Sequence, residues 1–314
     1  MPSADVELAF ATPRKLPKAS SLRGRVVVLD IAFAAEVGGA SFEGTTRKLI
    51  DGLGERLRAW VDHHDSDHHA LFRDDPRFVL AKKAEHGACP EMIDPALVGR
   101  VGPVDTIVCH TDFDGLASAA KWLRGGLECY PGCDADARAI DTRIGAPSPI
   151  GARFDRALRA RPRDAGLFGL VVRHLSTGLA DPALFQPIDE AGRELEPVLR
   201  ETERLARGFE RASERVVVCD ATLRERPYDK TLLLLMGQER APISMVVDES
   251  AVTLAARFDS GLDFLAMLGL SGGMPTRVSV PRSDFVRALA AVGVTPDDAQ
   301  RLDERVARRV PAPR

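Results

Sequence analysis

The sequence is poor in aromatic residues, with 2 Trp, 2 Tyr and 13 Phe making up 5% of its 314 positions. It also carries no surplus of one charge, since 43 Lys and Arg against 46 Asp and Glu leave a formal net charge of -3. A protein that tracks long nucleic acid needs a cationic groove and platforms on which bases stack, so that class of partner is excluded and any nucleic-acid contact must be local. No run approaches the ~18 apolar residues of a membrane span. The opening segment MPSADVELAFATPRK lacks the apolar centre of a secretory signal, and the expected location is the cytoplasm. The five cysteines, Cys89, Cys109, Cys129, Cys133 and Cys219, are odd in number and lie mostly beside apolar stretches, which excludes a disulfide framework. Cys129 and Cys133 would be half of a tetrahedral zinc site, but no second close thiol pair completes it. Repeats and low-complexity tracts are absent. A composition of 45% hydrophobic and 28% charged residues is that of an ordinary globular chain with one large domain or two medium ones.

Short, apolar, β-branched runs recur: Arg25 to Leu29, Arg58 to Val61, Thr106 to Cys109 and Arg215 to Cys219. They are too short for helices and suit strands buried on both faces of a parallel sheet. Helix-like stretches lie between them, such as Thr45 to Ala59, where Leu49, Leu53 and Leu57 recur every fourth residue. The alternation predicts an α/β fold, a mostly parallel sheet with flanking helices, followed by a smaller C-terminal α/β domain. The expected divisions are an N-terminal extension over 1–21, the first domain over 22–188, a charged helical connector over 189–213, the second domain over 214–300, and a polar tail over 301–314. Pro197 weakens the first turns of the connector.

The chemistry follows the apolar runs. The first ends in Asp30, the second in Asp62-His63-His64, the third in His110-Thr111-Asp112-Phe113-Asp114-Gly115, and a weaker stretch, ADARAI, in Asp141. The carboxyl ends of parallel strands face the crevice where such sheets bind ligands, so these side chains are expected to form one acidic, histidine-containing bowl. Several close carboxylates raise one another's pKa, and divalent cations resolve the repulsion. A donor set of Asp and His without Cys suits Mn2+ first and Mg2+ second. Two such ions could activate a water and hold the attacking and leaving oxygens of a phosphoryl group, which implies hydrolysis of phosphoesters or phosphoanhydrides.

Asp62-His63-His64 after one strand and His110-Thr111-Asp112-Phe113-Asp114-Gly115 after another resemble the two signature motifs of the DHH phosphoesterase superfamily. That superfamily includes RecJ-type nucleases, oligoribonucleases, cyclic dinucleotide phosphodiesterases and manganese pyrophosphatases. The resemblance covers roughly residues 22 to 280 and implies a two-metal hydrolase with a DHH-associated C-terminal domain. By it, His110 and Asp112 would hold the first metal, Asp114, His63 and Asp141 the second, and Asp30 would bridge both. His64 would face the substrate phosphate, with Asp62 orienting the imidazoles. Arg257, followed by Ser260 and Gly261, is similar to the associated domain's phosphate-contacting arginine, and Ser271, Gly272 and Gly273 to its glycine-rich substrate loop. Three features depart from the family pattern. Asp30 and the DHH motif precede the HTDFDG motif, so the core would be circularly permuted; Met274 stands where the loop usually carries histidine; and Asp134 and Asp136 compete with Asp141, which is preferred because it directly follows Ala139-Ile140.

Other histidines and glycines read more plainly. His68-His69 lie in a charged loop without a preceding strand, and His86 could either cap a helix or reach the pocket. Gly125-Gly126 end the helix begun at Leu116. Two rival functions remain. One is a haloacid-dehalogenase-like phosphatase with Asp112 as nucleophile and Asp114 as general acid, although Leu116 stands where its usual threonine would be. The other is a nucleotide-binding or regulatory module that no longer turns over. The expected partner is a small phosphate-bearing substrate, such as a short oligonucleotide or a nucleotide, with neither membrane nor long nucleic acid; a homodimer is left open.

Overall fold

The computed structural model describes residues 6–34, 41–270 and 274–309. The chain divides into two compact units, Met1–Leu195 and Glu196–Arg314. The first holds β1 (Glu7–Ala11), β2 (Val26–Leu29), α1 (Lys48–Leu53), β3 (Leu57–Asp62), β4 (Phe78–Leu80), α2 (Pro95–Val101) and β5 (Thr106–His110), then α3 (Phe113–Leu123), α4 (Cys133–Thr142), α5 (Pro149–Ala160), α6 (Ala165–Ser176) and α7 (Phe185–Arg193). Its five strands run in the order β1-β5-β2-β3-β4, and every pairing is parallel. The expected parallel sheet with flanking helices is the architecture observed.

Alternation along each strand explains why these runs are apolar at most successive positions, the exposed Arg58 of β3 excepted. Val27, Leu29, Ala59, Val61, Ile107 and Cys109 join a core on one face, while Val26, Val28, Leu57, Trp60 and Val108 join a separate core on the other. A strand covered on both faces has no solvated side to mark with polar residues. Register then aligns the strand ends, because Leu29 pairs with both Cys109 and Val61. Asp30, His110 and Asp62 therefore emerge side by side at one edge, where β2 leads through β3 to β4 on one side and β5 lies on the other. A reversal of strand order of this kind opens a crevice.

Two expectations for this unit change. Residues 7–11 are an edge strand parallel to β5, so the N-terminal stretch belongs to the first unit rather than extending from it. The helix expected over Thr45 to Ala59 stops at Leu53, because Gly54 adopts φ +53, and Leu57 opens β3. A left-handed residue at that position terminates a helix, and glycine supplies it without a Cβ clash.

The second unit holds α8 (Glu196–Ala206), β6 (Glu210–Arg211), β7 (Val216–Asp220), α9 (Lys230–Gln238), β8 (Ile243–Val247), β9 (Ala251–Ala256), α10 (Phe264–Leu268), β10 (Arg277–Pro281), α11 (Phe285–Ala291) and α12 (Pro296–Arg309). Its sheet, ordered β10-β9-β8-β7-β6, is antiparallel except for the β7–β8 pair. The stretch read as one charged connector is two helices in different units: α7 ends at Arg193 and α8 starts at Glu196. Pro197 thus falls in a first turn, where its missing N–H costs nothing. The polar tail is α12, whose Ala299, Leu302 and Val306 are buried in the second unit's core. No helix among the described residues is long and apolar enough to cross a membrane, and all five cysteines are buried and free.

Candidate metal centre

Asp30 sits one residue beyond β2 in the left-handed region, φ +57, with its N–H donating to the Val61 carbonyl at 2.9 Å. Aspartate tolerates this conformation better than most side chains, yet it still costs on the order of 1 kcal/mol. From there its two carboxylate oxygens face different neighbours. Oδ1 lies 3.3 Å from His63 Nε2, and Oδ2 lies 3.7 Å from His110 Nδ1. On the Oδ1 side, His63 Nε2 is 3.1 Å from Asp114 Oδ2 and 3.7 Å from Asp141 Oδ2. On the Oδ2 side, His110 Nδ1 is 2.8 Å from Asp112 Oδ2.

Three groups of donor atoms are therefore close enough to share an ion: Asp30 with His63 and His64, Asp30 with His110 and Asp112, and His63 with Asp114 and Asp141. The six residues read from the sequence as ligands meet in one bowl. Asp141 reaches it from the last turn of α4 rather than from a strand end, a correction to the placement inferred from ADARAI. Its competitors are engaged elsewhere. Asp134 pairs with Lys121 at 2.5 Å, and Asp136 accepts from the Tyr130 hydroxyl and from the Ser148 N–H and hydroxyl.

Backbone geometry fixes the HTDFDG segment. Asp112 caps α3 by accepting from the Gly115 N–H at 3.1 Å, and a Cβ on Gly115 would stand 2.6 Å from His110 Cβ and 2.7 Å from the His110 carbonyl oxygen. Only glycine lets the helix begin so close to the strand end it follows. Asp114, in the first turn of this helix, accepts from the Cys89 N–H through Oδ1 at 3.0 Å, and the helix N-terminus favours its negative charge.

The imidazoles are held from behind. His63 Nδ1 lies 2.9 Å from the His86 carbonyl; an acceptor there assigns the proton to Nδ1 and leaves Nε2 as the nitrogen facing the carboxylates. His64 Nδ1 lies 2.8 Å from Asp62 Oδ1 in the same fashion. Such contacts to the far ring nitrogen are how metal-binding histidines are oriented. His86 thus acts through its backbone, with its own ring 3.7 Å from Glu91. Sequence reasoning missed this contact because a carbonyl carries no residue signature. It also missed Lys83, whose ammonium lies 2.7 Å from Asp141 Oδ2.

The electrostatics are those of an over-acidic, desolvated site. Burial, reinforced by Asp114 and Asp112, pushes the Asp30 carboxyl well above the usual range. Burial likewise raises Asp114 to about 7 despite its histidine neighbour. Burial alone would lower His63, but Asp114 and Asp30 outweigh it and raise the imidazole to about 11. The nearby Cys89 thiol is pushed far up by burial and then by Asp30 and Asp114. Both oxygens of Asp30, Oδ2 of Asp114, Nε2 of His63 and Nδ1 of His110 are buried without a well-directed hydrogen bond, their close neighbours being one another and Asp112. Leaving so many buried polar atoms unmatched costs roughly 1–3 kcal/mol each. The residues therefore fit divalent cations, which would engage these atoms together and displace the His63 proton.

The remaining sequence candidates belong to other segments. Arg257 and Ser260 lie on an exposed turn after β9 in the second unit. Arg257 pairs with Asp259 at 2.9 Å, and the Ser260 hydroxyl accepts from the Leu262 N–H. Ser271, Gly272 and Gly273 lie outside the described residues. Met274, half-exposed, bridges to Arg277. His68 stacks on Phe42 and His69 packs edge-on against Phe33, so both belong to the aromatic packing beneath the sheet.

No family model matches the sequence, and no curated protein matches it. Among solved structures, the chain is similar to PggH, a pGpG-specific phosphodiesterase from Vibrio cholerae, at 12% identity and a TM-score of 0.43, covering 92% of this chain and 99% of that one. It is similar to the exonuclease RecJ bound to manganese at 14% identity and a TM-score of 0.43, over 90% of this chain and 75% of that one. A third match is RecJ in complex with Mn2+ from Thermus thermophilus, at 15% identity and a TM-score of 0.43, covering 88% of this chain and 45% of RecJ, so the chain spans less than half of that protein. At these identities and scores, the function rests on the residues themselves.

Proposed function

We propose that the protein is a divalent-metal-dependent phosphoesterase, served by Mn2+ with Mg2+ as second choice, that hydrolyses a small nucleotide-like phosphodiester, phosphomonoester or anhydride. The observation that carries this reading is the placement of Asp30, whose two oxygens face separate donor groups. His110 and Asp112 would hold one ion and His63, Asp114 and Asp141 the other, with Asp30 shared. When bound, such ions supply Lewis acidity toward a phosphoryl oxygen and lower the pKa of a water.

The chain's own groups do the rest. The His86 carbonyl and Asp62 fix the two imidazoles, and burial of Asp30, His63 and Asp114 keeps the donors dry and rigid. His64, one-third exposed with Nδ1 bound to Asp62, keeps Nε2 clear of that bond for a proton exchanged with a substrate phosphate or leaving oxygen. Lys83, paired with Asp141, adds a cation beside the bowl. On this reading Asp112 is no phosphoryl acceptor, since one oxygen caps α3 and the other faces His110. Asp114 is no acid for a leaving group, since it is almost wholly buried.

The test is hydrolysis of a panel of phosphodiesters and anhydrides with Mn2+, Mg2+ and chelator. Asp114→Ala and His63→Ala should each abolish Mn2+-stimulated turnover while circular dichroism stays native. Unchanged turnover in both variants overturns the proposal.

A further inference from the structure

The three donors placed on the second ion come from separate elements: His63 follows β3, Asp114 lies in the first turn of α3, and Asp141 in the last turn of α4. One irregular segment, residues 82–92 between β4 and α2, touches all three. Its Lys83 ammonium lies 2.7 Å from Asp141 Oδ2, its His86 carbonyl lies 2.9 Å from His63 Nδ1, and its Cys89 N–H donates to Asp114 Oδ1 at 3.0 Å. His110 and Asp112, placed on the first ion, instead contact each other, Asp30 and the Gly115 N–H. Among the described residues, none of their hydrogen bonds or ion pairs comes from 82–92.

Glu91 joins this segment to α4. Its Oε2 accepts from the Gly87 N–H at 3.1 Å, one residue beyond His86 and two before Cys89. Arg138 donates to the same carboxylate from Nε at 2.5 Å and from Nη2 at 2.7 Å. It stands three residues before Asp141, on the same face of the helix. Burial alone would raise the Glu91 carboxyl, but Arg138 and then the Gly87 N–H hold it below the usual range, so both bonds are charge-assisted. The approach is close: a Cβ on Gly87 would stand 2.8 Å from Arg138 Cγ. Resting on the metal reading above, we infer that Glu91 and Arg138 are positioning residues for the second ion alone. They hold 82–92 against α4 and so set the spacing of His63, Asp114 and Asp141, while the first ion's donors are arranged without them.

Calorimetric titration of the full chain with Mn2+ tests this. Glu91→Ala should weaken one of two Mn2+ sites about 10–100-fold, the usual weight of a group that orients a metal ligand, and leave the other within about twofold. Two backgrounds assign the sites, since His110→Ala leaves only the second donor group whole and Asp141→Ala only the first. The loss should appear in the first background and not in the second. Arg138→Met, at a half-exposed side chain that the fold gives up more readily, should act in the same direction, and Arg138→Lys should recover part of the affinity. Arg153→Met removes a comparable ion pair, to Asp189 between α5 and α7. It should lower the melting temperature in chelator without moving either Kd, which separates positioning from general loosening. A Glu91→Ala loss that is equal in both backgrounds, or absent from His110→Ala, overturns the inference and leaves the two-ion reading standing. If the wild type takes up no Mn2+, the parent reading fails and the inference falls with it.

Discussion

Both units place aspartates at the carboxyl ends of adjacent parallel strands, and they resolve the resulting charge in opposite ways. In the second unit Asp220 ends β7 and Asp248 follows β8. Asp248 is met by Lys230, by Arg224 at 3.7 Å and by the Tyr228 hydroxyl, and Asp220 accepts from the Thr222 N–H and hydroxyl. In the first unit Asp30, Asp112 and Asp114 face imidazoles, with Asp30 and Asp114 buried. The same backbone device thus serves stability where lysine and arginine meet it and, on the proposed reading, metal binding where they do not. An aspartate at a strand end says little until its neighbours are known.

The strongest way to break this contrast is to neutralise one carboxylate in each unit. Asp30→Asn should reduce metal-dependent turnover on the order of a thousandfold or more, equivalent to about 4 kcal/mol of transition-state stabilisation. It should also raise the melting temperature in chelator, since one repelling, desolvated charge is gone. Asp248→Asn should do the reverse, lowering stability by roughly 1–3 kcal/mol as Lys230 and Tyr228 lose a charged acceptor, with no effect on metal affinity. A stabilising Asp248→Asn, or an Asp30→Asn that keeps the wild type's metal-dependent turnover, contradicts the division.

A ligand test of the same contrast follows from mass action. Mn2+ at about 100 times its Kd should stabilise the wild type by about 2.7 kcal/mol. Thermal denaturation of Asp30→Asn should lose that response and of Asp248→Asn should keep it.

Much of this architecture is legible in the sequence because burial on both faces leaves an unmistakable pattern. The runs that became β2, β3, β5 and β7 are apolar at successive positions, and the residue after each is polar for a reason the fold supplies. What is hidden is whatever acts through the backbone or from a helix. The His86 carbonyl has no side-chain mark, and Asp141 lies on α4, where a carboxylate every few residues is ordinary for a half-solvated helix. β1 is hidden too: ELAFA is short, begins with Glu7 and lies at a sheet edge, so only pairing with β5 reveals it.

Smaller in scale, the second unit's dependence on its own ion pairs can be read through acid. Glu201 accepts two bonds from Arg204 and one from the Glu225 N–H, and the arginine chiefly holds its carboxyl down from 4.5 to about 2. A depressed carboxylate stabilises the fold fully above its unfolded pKa and loses that contribution as pH falls through the folded one. The window here runs from about pH 4.5 to about 2. Glu201→Gln should flatten the wild type's stability curve in that window, and an unchanged acid limb would assign the bonds no weight.

The smallest expected change in stability comes from Arg257→Ala, which makes it the cleanest probe of whether the second unit contacts substrate. Arg257 lies on an exposed turn, and its partner Asp259 is two residues away, so the pair spans no packing interface and is screened by water. Removing it should leave thermal unfolding unchanged within error. If the side chain also holds a substrate phosphate, as its resemblance to the associated domain's arginine implies, KM for phosphate-bearing substrates should rise several-fold while kcat stays near its original value. That is the signature of binding lost equally from the ground and transition states. An unaltered KM would remove Arg257 from the site; a fall in kcat alone would instead mean that the turn acts on the chemical step.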